Sequence, residues 1–481
     1  MAKKVIALIL TVIMITIMVV SCGGNSSGSG SGNNPTPSSN KPSTPKVSKL
    51  EKRATENDDL PDKNYSGKDF NVLTITDNLF AVNSNNGDLV NDSIYNRNKD
   101  VSERFNVKLN FMKIAAGDAF VNAVNESAAA GDNKYDLILG TQKDLIDSAL
   151  NGSLIDIKTL SDINLTKNWW AQGANDTLAV NGKLYMAVGD LSISMWQDIF
   201  VVFFNDDIIG ANSLKSPIDL VNGDAWNFDR FVELSLEGGR SFNGLVSSTI
   251  NHPEQFIISL NAPVTKNGTD GFPTLDFNTD KAKKVAGRIL DLYKGKNVIK
   301  NDAVSTIFPS EYPAEFTGGK ALFMSGFLGD AVKLRNAMTQ NFGIIPYPKY
   351  DEYQDKYYTT TLNSATMVAF TKSLGDKEMS GIITEALCAG GYKTVVIDYY
   401  ELLLKKANGR DDASEDTLDT IRAGLKYNFG LSHTHLLGNI AELFENMANG
   451  TITDFTASYS ENQDIYKNAL ASLVSQYKAV Q

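Results

Sequence analysis

Three histidines, two cysteines and a few adjacent carboxylates are the residues of this 481-residue chain whose types could do chemistry. His433-Thr434-His435 sets two imidazoles two residues apart, so one strand face could offer two metal ligands. No cysteine lies near them in sequence, and pairs at this spacing are common by chance. Asp206-Asp207 and Asp411-Asp412 read as solvated turns rather than as an acid–base couple, and Glu352 and Asp355, in a tyrosine-rich charged loop, read the same way. Cys388 falls in the apolar helical run Ile382–Ala389 and reads as a small buried hydrophobe rather than a nucleophile. The chain has no glycine-rich phosphate loop with its Lys and Ser/Thr, no nucleophile elbow and no HExxH. This shortage points to binding rather than catalysis, with no cofactor and no metal.

The elements that would position a site alternate. Asn71–Thr76 reads as a strand, and Asn91–Phe105 as a helix capped by Asp92 or Ser93. Val107, Leu109 and Phe111 alternate as a strand, Asp118–Ala130 is helical, Tyr135–Leu139 is an apolar strand, and Lys143–Leu150 is a further helix. This β-α-β-α-β-α order predicts a parallel sheet with helices on both faces. Ligands of such sheets bind at the carboxyl ends of the strands, which singles out Thr76-Asp77-Asn78, Met112-Lys113 and Gly140-Thr141-Gln142. Further on, Ile199–Phe204, Lys320–Met324 and Phe342–Ile345 read as strands. Asn227 and Thr279 read as caps of helices, Gly329–Met338 as a helix, and the chain from Glu378 onward as mostly helical.

The first 48 residues are of another kind. Lys3 and Lys4 precede an apolar run from Val5 to Val20 that ends at Val19-Val20-Ser21-Cys22. A cationic start, a short apolar stretch and a small residue before the cut predict an export signal over 1–21, too short to span a bilayer stably. Its last four residues resemble a bacterial lipobox, which implies acylation of Cys22 and attachment to the outer face of the cell membrane. Cys388 is then the only other cysteine, so no intrachain disulfide is expected. Gly23 to Lys46 is almost wholly Gly, Ser, Asn, Pro, Thr and Lys, and a charged segment continues to Asn64, so 22–64 is predicted to be a disordered tether. Such a tether spans on the order of 35 Å. The net charge of −11 argues against nucleic acid and against adhesion to anionic lipid. Roughly 415 residues remain, enough for two or three domains.

Several segments then carry a family resemblance in order along the chain. They are Tyr135-Asp136-Leu137-Ile138 leading to Asn151-Gly152-Ser153-Leu154-Ile155-Asp156, then Asn181-Gly182-Lys183-Leu184-Tyr185, Phe204-Asn205-Asp206, Trp226-Asn227-Phe228-Asp229-Arg230-Phe231, Gly319-Lys320-Ala321-Leu322-Phe323-Met324 and Phe342-Gly343-Ile344-Ile345-Pro346. Over Tyr65 to Tyr477 the chain resembles the extracellular solute-binding proteins of bacterial ABC importers (family 1, carbohydrate type). Trp169-Trp170, Gly189-Asp190, Ser216–Val221 and Pro346–Asp351 resemble a clostridial-type lipoprotein subgroup. Val188-Gly189-Asp190 stands where that family usually has a proline.

The resemblance implies an α/β, two-lobed periplasmic-binding-protein-like fold (type II), with a solute cleft that closes by hinge bending. It implies lobe 1 over 65–190 and 347–400, lobe 2 over 191–346 and 401–481, and chain crossings near Ala187–Leu191, near Ile345–Pro348 and after Tyr400. Strand ends in lobe 1 point to Asp77, Asn78 and Gln142 as ligand-binding residues, and family position points to Trp196 and Phe327 as aromatic faces for a sugar ring. Trp169 and Trp170 are weaker aromatic candidates. The expected partners are a carbohydrate, permease subunits and, through the acylated cysteine, the membrane; the expected state is a monomer. The competing readings are a surface binding or sensing protein of the same fold without transport, and an extracellular glycan hydrolase.

Overall fold

Alternating apolar residues place the strands, and the two faces they create can be followed residue by residue. In the computed structural model, which describes residues 49–75, 80–236, 241–406 and 412–480, the strands are β1 (Lys68–Thr74), β2 (Val107–Lys113), β3 (Leu137–Thr141), β4 (Phe200–Asn205), β5 (Asn243–Ser247), β6 (Thr265–Asn267), β7 (Pro273–Leu275), β8 (Val298–Lys300), β9 (Ala321–Phe327), β10 (Phe342–Ile345) and β11 (Thr366–Ala369). Cys22, Asp77 and Asn78 lie outside the described residues, as do 1–21 and most of the expected tether.

The first sheet has the order β11-β3-β1-β2. β1 runs parallel to β2 and β3, as the alternating opening predicts, while β11 adds antiparallel to β3. Val72, Leu137 and Leu139 face the helices Leu89–Phe105 and Lys377–Gly390 through Val101, Phe105, Ile382 and Ile383. Leu73 and Ile138, one residue out of step, face Phe120, Val124 and Leu145 on the helices Asp118–Ala130 and Gln142–Leu150. Gly140 is required by that packing, because a Cβ there would sit 2.7 Å from the Phe120 ring.

The second sheet has the order β10-β4-β9-β5-β8. Its odd-and-even split is the same: Phe200, Val202 and Phe204 pack with Phe231 and Ile289, while Val201 and Phe203 pack with Ala331 and Leu334. The helix Asp280–Lys294 shows why such elements form. Thr279 caps it by accepting from the Ala282 amide at 3.1 Å, and Ala282, Val285, Ala286, Ile289 and Leu292 are all fully buried on one face. Each large aliphatic side chain so buried contributes about 1.5–3 kcal/mol before entropy is counted. Among the described residues no helix is long and apolar enough to cross a membrane.

Local departures from the sequence reading have local causes. The helix expected from Asn91 starts at Leu89, because Asp88 caps it at 2.9 Å; Asp92 instead accepts from the Asn86 amide and holds the approach loop. The crossings also differ. The first runs from Ala187, paired with Val368 of β11, through a short helix at Ser194–Gln197 into β4. The return comes at 359–366 rather than at Ile345–Pro348. Residues 346–357 stay with the second sheet, since the Trp226 indole donates to the Pro346 carbonyl at 2.9 Å and fully buried Lys349 pairs with Asp224 at 2.5 Å. The two crossings lie antiparallel: the Phe200 amide donates to the Thr360 carbonyl and the Leu362 amide to the Asp198 carbonyl, both at 3.1 Å.

Residues 49–64 are not a tether. Lys49–Ala54 is a helix, and the Arg53 guanidinium lies 4.6 Å from the Tyr392 ring and 4.9 Å from the Tyr400 ring while bonding Asp419 at 3.0 Å. Asp58 takes Arg104 at 2.7 Å, and Lys167 takes Asp59 at 2.5 Å. Charge made this stretch read as solvated, but its ionic partners come from remote parts of the chain.

Candidate functional site

Two chambers draw on both sheets and on the paired crossings. The larger, about 1020 Å³, opens beyond the carboxyl end of β1 and is lined by Ile75, Asp88, Asn91, Gln197, Asp198, Phe308, Lys333 and Tyr399, among others. Its volume is at the top of the range that holds small ligands. The smaller, about 30 Å³, sits at the carboxyl end of β3 and is lined by Gln142, Asn251, Glu254, Gln255, Thr360, Thr361, Asn363, Tyr427 and Ser432, among others. In the lobe arrangement seen here it has room for one or two waters.

Among the described residues, Gln142 is the sequence-derived candidate that reaches a chamber. It opens the helix after β3, is 1% exposed, and donates from Nε2 to Ser432 Oγ at 2.8 Å across to the C-terminal segment. Trp196 lines neither chamber. Its ring is fully buried, its indole N–H is held by Asp190 at 3.0 Å, and Tyr400 meets it edge-on with centroids 5.1 Å apart. Phe327 is also fully buried, between Phe200 at 4.7 Å and His252 at 5.4 Å, so it backs the Phe200 ring that lines the smaller chamber. In this arrangement neither aromatic offers a free face to a solute. Trp169 and Trp170 are buried away from both chambers, donating at 2.8 and 2.9 Å to the two oxygens of Glu385.

The residues missed from sequence are Phe308, Tyr399, Asp198, Glu254 and Gln255. Phe308 has φ +54°, a left-handed backbone that is costly for an aromatic residue and concentrates at ligand clamps. Its ring is partly exposed in the larger chamber, with Lys333 Nζ 4.4 Å from its centroid. Tyr399 lines the same chamber with a buried hydroxyl that has no hydrogen-bond partner among the described residues. Burial pushes the Asp198 carboxyl up to about 7, against a hydrogen bond from Ser364 at 3.1 Å and with the nearby Asp330 adding to the rise. In the smaller chamber Gln255 is 1% exposed and its Oε1 has no partner among the described residues. Burial, with Glu445 and Glu442 adding like charge, holds Glu254 well above the usual carboxylate range. No local sequence signal marks these residues, since they line the chambers only once distant segments pack together.

The histidines go to packing. Burial lowers His252 to about 4, and its two nitrogens contact Tyr347 Oη and the Val304 carbonyl, each at 2.7 Å. His433 stacks on Phe429 and is bonded to Tyr477 Oη at 2.9 Å, while His435 lies 3.7 Å from Asp147. Among the described residues no group of three or more His, Cys, Asp or Glu could hold a metal ion.

The arrangement of two sheets, paired crossings and chambers between them is that of a receptor that takes its ligand between lobes. Residues 97–380 match the family described as bacterial extracellular solute-binding protein. The chain belongs to that family. A search of curated proteins finds no match. Among solved structures, this solute-binding protein is similar to the ABC substrate-binding protein Lmo0181 from Listeria monocytogenes in complex with cycloalternan, with a TM-score of 0.51, 14% identity, and coverage of 85% of this chain and 98% of that one. It is also similar to a cyclo/maltodextrin-binding protein complexed with maltotetraose, with a TM-score of 0.54, 14% identity, and coverage of 86% and 97%. At such identity the likeness is one of fold, and that fold has two lobes.

Proposed function

We propose that this solute-binding protein is a lipid-anchored receptor, held through Cys22, that closes on a carbohydrate and delivers it unchanged to an ABC importer. The observation that carries the reading is a set of polar groups on residues lining the chambers: Gln255 Oε1 and the Tyr399 hydroxyl, which have no partner among the described residues, and the crowded Glu254 carboxyl. An unmet buried hydrogen bond costs about 1–3 kcal/mol, so these groups favour a solute rich in hydroxyls. Phe308 adds an aromatic surface against which sugar C–H bonds can pack. The two solved neighbours, in complex with cycloalternan and maltotetraose, support the same solute class. Gln142 serves as a hydroxyl partner in this reading, and Asp77 and Asn78 remain candidates at the end of β1. Trp196 and Phe327 would reach a solute only in a different lobe arrangement.

A thermal-shift screen of the mature chain against linear and cyclic oligosaccharides, amino acids and peptides tests the solute class. Ligand at about 100 times its dissociation constant adds roughly 2.7 kcal/mol of stability. A response to amino acids or peptides and to no saccharide overturns the carbohydrate reading. Chromatography of the saccharide after incubation separates binding from hydrolysis. For the anchor, Cys22→Ala should release the protein from the membrane fraction; retention, with no lipid label on the original, overturns it.

A further inference from the structure

We infer that residues 49–59 form a strap between the two lobes that holds them in the arrangement seen here. Its two ends are fixed to elements of different lobes. At one end, Asp58 pairs with Arg104 on the helix Leu89–Phe105, and Asp59 pairs with Lys167, both parts of the first lobe. At the other, Lys49 and Arg53 pair with Asp416 and Asp419 on the helix Asp412–Ala423. That helix packs against β10 of the second sheet and against the helix Pro217–Asn222, and it meets the first lobe at its far end, where Arg422 donates to the Asn168 carbonyl at 2.7 Å. When lobes rotate about the crossings, elements fixed to different lobes change their separation. A short segment docked at both ends fits one separation only.

The weight falls on Arg53. The outer pair Lys49–Asp416 is half exposed on both sides and contributes little. Arg53 is 8% exposed and sits between the Tyr392 and Tyr400 rings. Tyr392 belongs to the π-helical turn Gly391–Val395, which joins the first-lobe helix Lys377–Gly390 to the helix Val396–Lys406. The Tyr400 hydroxyl shares Asp419 with Arg53, at 3.1 Å. The strap's contacts therefore differ between lobe arrangements, and a segment whose contacts differ between two states shifts their populations.

The test needs no solute, so its failure is separate from failure of the carbohydrate reading. Dyes are placed on Glu126→Cys and Asp291→Cys, exposed positions on helices of opposite lobes, in the chain with Cys22→Ser. Interlobe distance distributions are recorded for this protein and for the same protein with Arg53→Ala or with Asp419→Asn. Trypsin cleavage at Lys49, Lys52 and Arg53, or at the first two in the alanine variant, reports whether the strap is docked. The expected result is faster cleavage and a shift of about tenfold in the ratio of lobe arrangements, with Arg53→Lys shifting less than Arg53→Ala. Asp419→Asn, at a partly exposed position, keeps the test available should Arg53→Ala fail to melt cooperatively. A freed strap with an unchanged distance distribution overturns the inference, and so does a strap that stays protected in both variants.

Discussion

The Asp190 carboxylate accepts a hydrogen bond from the Arg422 guanidinium at 2.6 Å, with none of the Asp190 side chain exposed. Asp190 lies where the chain leaves the first sheet, and Arg422 lies on the helix Asp412–Ala423, so the pair ties the first crossing to a helix more than two hundred residues on. The second Asp190 oxygen takes the Trp196 indole N–H. Arg422 also donates to the Asn168 carbonyl at 2.7 Å. Removing one partner of such a buried pair strands the other. Asp190→Ala is expected to lower stability by about 3–5 kcal/mol in urea melts. A loss below about 1 kcal/mol would show that the pair is not what holds the crossing.

Asp198 and Glu385 should lower stability as pH rises from about 4 to about 7, against the opposite contribution of buried His252, whose proton is bound only in the unfolded chain over much of that window. Burial raises both Asp198 and Glu385 to about 7, Glu385 against hydrogen bonds from Trp170 and Trp169. The ordinary carboxylate range is near 4, so across this window the folded chain binds protons that the unfolded chain has released. That contribution is whole below about pH 4 and lost above about pH 7. Urea midpoints at pH 5 and pH 8 measure the slope. Asp198→Asn should raise stability at pH 8 relative to pH 5 by about 1.4 kcal/mol for each unit of upward shift lost within that window. An unchanged slope in that variant would show that Asp198 is not the group responsible.

Glu254 separates binding from folding. Glu254→Gln removes a carboxyl crowded by Glu445 and Glu442 and is expected to stabilise the solute-free protein at pH 8. The same change should weaken binding of a saccharide found by the screen by roughly tenfold, the loss of one hydrogen bond to a charged or strongly polar group. Calorimetry and thermal melts on one preparation read both effects. Unchanged affinity would remove the smaller chamber from the site.

Phe308 can be tested through its backbone. At φ +54° glycine is unstrained and alanine is not, so Phe308→Gly should be the more stable of the two by about 1 kcal/mol. Both should weaken saccharide binding by about 2 kcal/mol if the ring contacts solute. Tight binding by both variants would assign the strain to the chain path alone.

Phe327→Ala is expected to cost about 3–5 kcal/mol, because the ring is fully buried against Phe200 and His252. Trp196→Phe keeps most of the packing and should cost about 1–3 kcal/mol, for the buried Asp190 acceptor it leaves unmet. A loss near zero in either would show that the pocket closes around the smaller side chain.

What the sequence determined by itself was whatever depends on neighbours along the chain. Thr279 caps its helix, Leu73 and Val72 alternate across β1, and the order of strands and helices implied parallel pairing of β1 with β2 and β3. The place of Gln142 at the carboxyl end of β3 follows from the same logic, since the end of a parallel strand is a local landmark. Tertiary structure decided the rest. Tryptophan at position 196 reads as a possible sugar platform, yet a carboxylate six residues earlier and Tyr400 enclose it. Pro346 reads as a crossing, yet Trp226 and Asp224 hold that stretch to the second sheet. Charge at 49–64 reads as solvation, yet remote tyrosines and carboxylates bury Arg53. Periodicity and capping are fixed by energies between residues three or four apart, whereas burial of a ring or a charge depends on partners a hundred or more residues away, whose approach only the packed chain supplies.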